Sequence, residues 1–174
     1  MRPRLAAQLY TLRDFTTTAE GLDNVLGLCH EIGYDGVQLS AVGCMNGDAP
    51  EVSASQAREM LDAHGLVCCA THAGFDVLIE HTAREAEGLL TLGCDYVAIG
   101  GIWPEDYSAF DTFGERAKPL IAGLKQHGIR FGYHNHSHEF VRRPQGGTYY
   151  DSLIEFGGED LMFELDTYWV QHAG

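Results

Sequence analysis

A recurrence constrains this chain more than any other feature. Four times an amphipathic segment ends in glycine and a short apolar run follows at once: Gly33 before residues 34–39, Gly65 before 66–70, Gly93 before 94–99, and Gly128 before 129–131. Glycine just past a helix end takes the left-handed conformation that closes the last turn. A repeat of about 30 residues is the length of one βα unit. The apolar runs are near-continuous rather than alternating, as in parallel strands covered by helices.

The segments between the runs carry helix signals. Thr17 with Glu20, and Ser53 with Gln56, have the spacing of capping boxes. Behind the first, Leu22, Val25, Leu26 and Cys29 follow the i, i+3, i+4, i+7 pattern. Ile79, Thr82, Ala86, Leu89 and Leu90 form a third stripe. Phe113, Ala117, Leu120, Ile121 and Leu124 form a fourth, predicted to bend at Pro119. A short helix is expected over 150–156. Strands are expected at about 4–10, 35–40, 66–72, 95–100, 129–136 and 161–167. No linker or composition shift divides the chain, so residues 1–174 read as one domain.

The first strand ends Gln8-Leu9-Tyr10 without a glycine-rich turn, which argues against a dinucleotide fold. Each strand instead ends in polar or special residues: Gln8, Gln38 and Ser40, Thr71 and His72, Gly100 and Gly101, a histidine cluster, and Asp166. A (β/α)8 TIM barrel builds its site from the carboxyl ends of its strands. The fold class is therefore α/β, a (β/α)8 TIM barrel truncated after about six βα units. A sheet left open at strands one and six has unpaired edges. Self-association into a homo-oligomer is expected of such a chain, and by itself it is expected to be inactive.

Composition narrows the partners. With 11 basic against 25 acidic side chains, the net charge is -14. That disfavours nucleic acid, whose phosphates need clustered Lys and Arg. No apolar stretch is long enough to span a membrane. The five cysteines are odd in number and form no Cys-x-x-Cys pair, which suits free, buried thiols in a reducing, cytoplasmic setting.

The chemistry gathers in two stretches. Tyr133-His134-Asn135-His136-Ser137-His138-Glu139-Phe140 closes the fifth run. If the strand continues, His134, His136 and His138 share one face and Asn135 takes the other. Phe163-Glu164-Leu165-Asp166-Thr167-Tyr168-Trp169 closes the sixth, with Glu164 and Asp166 on one face. Imidazoles and carboxylates converging from two strand ends point to a divalent metal or an acid–base site. The competing reading of Asp166 is a helix N-cap, and that of Glu139 a solvated loop carboxylate.

These stretches, with Gln8–Asp14 and 34–38, resemble the xylose isomerase-like TIM barrels, the sugar phosphate isomerase/epimerase family. The resemblance implies one divalent ion (Mn, Co, Mg or Zn) held by carboxylates and a histidine from four strand ends. Asp166 matches the family's aspartate. His134 stands where many relatives carry glutamate, and Glu139 is the alternative carboxylate. The expected ligands are thus Asp166 and Glu139, with Glu139 and His134 as catalytic groups. Gln8, His72, His136 and Trp169 are expected to bind substrate. The implied reaction is isomerisation or epimerisation of a sugar, sugar phosphate or keto-sugar through a metal-stabilised enediolate. The alternatives are a lyase of the inosose-dehydratase or keto-sugar type, and an incomplete barrel that binds sugar without turnover.

Overall fold

The structure, a computed structural model, describes residues 5–47 and 49–174. The expected start of the first strand at residue 4 lies outside the described residues. Six strands form one sheet in the order β1-β2-β3-β4-β5-β6, with ranges β1 Ala6–Gln8, β2 Gly36–Leu39, β3 Val67–His72, β4 Tyr96–Ile99, β5 Arg130–His134 and β6 Leu161–Glu164. β1 with β2, β2 with β3, and β5 with β6 run parallel. Between them lie α1 Ala19–Ile32, α2 Ala54–Ala63, α3 Phe75–Glu80, α4 Thr82–Leu92, α5 Ala109–Gln126 and α6 Tyr149–Gly157, with α7 Thr167–Ala173 after β6. This is the α/β architecture of successive βα units. Among the described residues no helix is long and apolar enough to cross a membrane.

The punctuating glycines do what the sequence implies. Gly33, Gly65, Gly93 and Gly128 all have positive φ, between 66° and 100°. Gly33 donates its N–H to the Cys29 and His30 carbonyls, so α1 ends there and the chain turns towards β2. At the helix starts the outcome is mixed. Ser53 and Gln56 form the expected capping box, but the first helix is capped one residue later than expected, by Thr18 accepting from Gly21 N–H. The third stripe is split into α3 and α4 around His81, and Pro119 lies within a helix that runs unbroken from Ala109 to Gln126. The chain leaves extended conformation early: residues 9–15 form a 3-10 segment, β5 stops at His134, and α7 follows β6 at once.

The chain divides into two compact units. The first comprises Met1–His72 and Arg84–Val97; the second comprises Ala73–Ala83 and Ala98–Gly174. The first buries the α1 stripe Leu22, Val25, Leu26 and Cys29, together with Val37, Leu61, Leu66 and Leu89. Cys29, Cys44, Cys68 and Cys94 are buried free thiols as expected, whereas Cys69 is exposed.

The second unit is built on aromatic packing. Phe110, Phe113, Phe131 and Tyr133 are fully buried. Phe113 meets Tyr133 edge-on at 5.3 Å and Phe75 at 5.1 Å between centroids. α5 and α6 approach closely because Gly114 has no side chain: a methyl group there would overlap the Phe156 carbonyl of α6. Backbone cannot yield as a side-chain tip can, so Gly114→Ala is expected to destabilise the fold by about 1–3 kcal/mol, the range for overpacking. Urea denaturation measures this, and an unchanged midpoint would show that α6 shifts without cost.

Candidate active site

β5 and β6 pair in register, with Tyr133 opposite Phe163 and His134 opposite Glu164. Main-chain pairing stops there, at the carboxyl ends of both strands. In the second unit the polar residues of the two stretches converge at these ends. His134 is buried, and its ring lies between two carboxylates: Nδ1 is 3.3 Å from Glu164 Oε1, and Nε2 is 3.7 Å from Asp166 Oδ2. Asp166 divides its work. Oδ1 accepts from the Tyr168 and Trp169 amides at 2.9 and 3.3 Å and caps α7. Oδ2 is the oxygen facing His134. The cap reading of this residue is met, and it leaves the second oxygen free of the helix.

The histidines gather although the strand does not continue. His134 and His136 rings are 5.0 Å apart and His136 and His138 rings 6.0 Å apart, brought together by a turn after His134 and the short 3-10 segment His138–Phe140. The His136 ring also packs on Trp103 at 5.1 Å and Trp169 at 5.2 Å. Its Nδ1 is buried with no hydrogen-bond partner. Burial, and then the neighbouring His134, hold its pKa below the usual histidine range, so the ring is neutral at pH 7.

Glu139 is not the solvated loop carboxylate of the competing reading. It is fully buried. Its Oε1 accepts from Tyr133 Oη at 2.9 Å and its Oε2 from the His136 backbone N–H at 2.8 Å. His138 Nε2 lies 3.5 Å from Oε1 and donates to the Ile102 carbonyl at 2.8 Å. Tyr133 Oη in turn accepts from Ile102 N–H at 3.1 Å. Burial and the Glu139 charge push the Tyr133 phenol pKa up, so it stays protonated and donates. Gly101, at positive φ, lets this layer close: a methyl group there would press on His134 O, Glu139 Oε1 and His136 Nδ1. Both Glu139 oxygens thus serve the loop after β5.

Asp166, His134, His136, Glu139 and Trp169 therefore fall within one unit. Gln8 and His72 belong to the first unit, where each ends a strand. Gln8 pairs in register with Gln38, and His72 Nδ1 lies 3.3 Å from Ser40 Oγ. The sequence reading passed over Trp103, although it lies two residues beyond the Gly100-Gly101 strand end, and Tyr133, which reads as a core aromatic. Glu164 carried a signal in its spacing from Asp166.

An imidazole nitrogen with a carboxylate oxygen is a donor pair suited to a divalent ion such as Zn, Co or Mn. His134 Nε2 and Asp166 Oδ2, 3.7 Å apart, are spaced to share such an ion, while Glu164 Oε1 lies on the other side of the ring, 3.3 Å from Nδ1, where a carboxylate orients a ligating imidazole.

Residues 26–174 match the model of the xylose isomerase-like TIM barrel family. No curated protein matches the chain. Among solved structures, a sugar phosphate isomerase/epimerase from Parabacteroides distasonis is 19% identical, with a TM-score of 0.77 over 98% of this chain and 67% of its own. The probable 3-DHS dehydratase AsbF from Bacillus anthracis is 13% identical, with a TM-score of 0.71 over 99% of this chain and 66% of its own. The IOLI protein, solved with a zinc atom, is 18% identical, with a TM-score of 0.66 over 99% and 66%. The chain thus spans about two-thirds of the length of these structures, and at such identities the likeness is one of fold. The βα units, the strand-end cluster and a family match over residues 26–174 agree: the chain belongs to the xylose isomerase-like TIM barrel family.

Proposed function

We propose that the protein is a metal-dependent enzyme that moves a proton on a sugar carbon next to a carbonyl, as an isomerase or epimerase. The observation that carries this reading is the placement of His134 between Glu164 and Asp166 at the ends of β5 and β6. His134 through Nε2 and Asp166 through Oδ2 would hold the ion, with Glu164 at Nδ1 orienting the imidazole; when bound, the ion supplies Lewis acidity to the sugar carbonyl.

The remaining steps fall to the chain's own groups. Trp103 and Trp169, packed on the His136 ring, offer apolar faces against which a sugar ring can rest. His136 is neutral and can accept the carbon-bound proton, with Trp103 and Trp169 limiting water around it. Glu139 is assigned to positioning rather than ligation, because Tyr133 Oη and the His136 amide already occupy its oxygens. The AsbF likeness supports keeping dehydration as the alternative outcome, since loss of a β-hydroxyl begins with the same proton abstraction.

Three measurements test this. The full-length protein should bind one Mn2+ per chain in a calorimetric titration and exchange a substrate C–H for deuterium in D2O, read by NMR over a panel of aldoses and ketoses. Asp166→Asn and His134→Gln should weaken Mn2+ binding by more than about tenfold; unchanged affinity would remove them from the ligand set. His136→Gln should keep the ion and lose exchange, and retained exchange would move the proton-transfer role elsewhere.

Glu139→Gln should keep one bound ion, because the side chain is committed to the loop; loss of the ion would return it to the ligand set. Tyr133→Phe leaves Glu139 Oε1 and the Ile102 amide short of a partner in a dry layer. Its expected cost is about 1–3 kcal/mol of stability by urea denaturation.

A further inference from the structure

We propose that Asn135 is the positioning residue for Asp166, and that its side-chain amide decides where the Asp166 carboxylate points. The inference rests on the reading of Asp166 as a metal ligand.

Main-chain pairing of β5 with β6 ends at His134 and Glu164. Asn135 is the next residue and its side chain is fully buried. Its Oδ1 accepts from the Asp166 N–H at 2.9 Å, and its Nδ2 donates to the Asp166 carbonyl at 3.2 Å. A planar amide thus holds both main-chain groups of one residue, as a neighbouring strand would, and carries the ladder across Leu165 to Asp166. Asp166 stays extended, with φ -86° and ψ 104°.

With its backbone held, the carboxylate has little freedom. Oδ1 is taken by the Tyr168 and Trp169 amides, and Oδ2 is left facing His134 Nε2. Adjacent residues therefore act on one carboxylate from two sides, His134 through its ring and Asn135 through the backbone. The match is specific to asparagine. Aspartate keeps the acceptor but loses the donor, glutamine is one methylene too long, and alanine loses both.

The test combines two readouts in the full-length protein. Amide hydrogen exchange at Asp166, Tyr168 and Trp169 is measured without metal, and Mn2+ affinity is measured by titration. Asn135→Ala should lose protection at all three amides and raise the Mn2+ Kd by about 10–100-fold, the range for groups that orient ligands. Asn135→Asp should retain part of the protection at Asp166, and it carries the comparison alone if the alanine variant does not fold. Ser152→Ala is the control for a lost buried hydrogen bond, since Ser152 Oγ bridges Asp111 and Arg143 elsewhere in the second unit; it should leave both readouts unchanged.

Retained protection at Tyr168 and Trp169 in Asn135→Ala overturns the proposal. So does lost protection with unchanged Mn2+ affinity, which would leave Asn135 a loop tie only. If the unaltered protein takes no Mn2+, the metal reading falls separately and exchange alone decides. Lost protection then still makes Asn135 the determinant of the Asp166 carboxylate, and retained protection removes it.

Discussion

A buried carboxylate must be met by donors, and much of the second unit's strand-end architecture depends on meeting Glu139. A carboxylate without water is costly unless each oxygen is hydrogen-bonded. Here Tyr133 supplies a hydroxyl from inside the aromatic core and His136 supplies its own amide from the loop. The two donors lie on either side of His134 and Asn135. Meeting Glu139 therefore fixes the turn that ends β5, and with it the direction in which the His134 and His136 rings leave the strand. His138 and Tyr133 join the same layer to the backbone of Ile102 after β4, so strand ends far apart in sequence are tied to one charge.

This arrangement separates support from chemistry. The acidic groups at these strand ends are not equivalent, although they look so in the sequence. Glu139 is sealed and spoken for; Glu164 and Asp166 are partly open and face an imidazole. Charge at a strand end can serve as scaffold or as working group, and exposure with hydrogen-bond count tells them apart.

The glycine punctuation and the apolar runs made the βα order legible in the sequence, because each helix must end and each strand must be buried whatever its function. The gathering of polar side chains at the ends of β5 and β6 was legible too, since such residues have no core role there. What escaped was local. The alternation argument put Asn135 away from the histidines, and the strand ended one residue before it mattered. Thr18 displaced Thr17 as the α1 cap by a single step. The burial of Glu139 was not legible because its donors, Tyr133 and a backbone amide, carry no sequence signal. Hydrogen-bond partners chosen by a turn cannot be counted from spacing.

Asp166 makes the end of β5 and a helix share one functional group. Its Oδ1 starts α7 by capping two amides while its Oδ2 faces His134. Anything that draws electron density through Oδ2 makes Oδ1 a poorer acceptor. The coupling runs both ways: fraying the first turn of α7 removes two donors from Oδ1 and leaves Oδ2 the stronger acceptor towards whatever faces it. The first turn of α7 and the oxygen that faces His134 cannot be tuned independently while one side chain serves both.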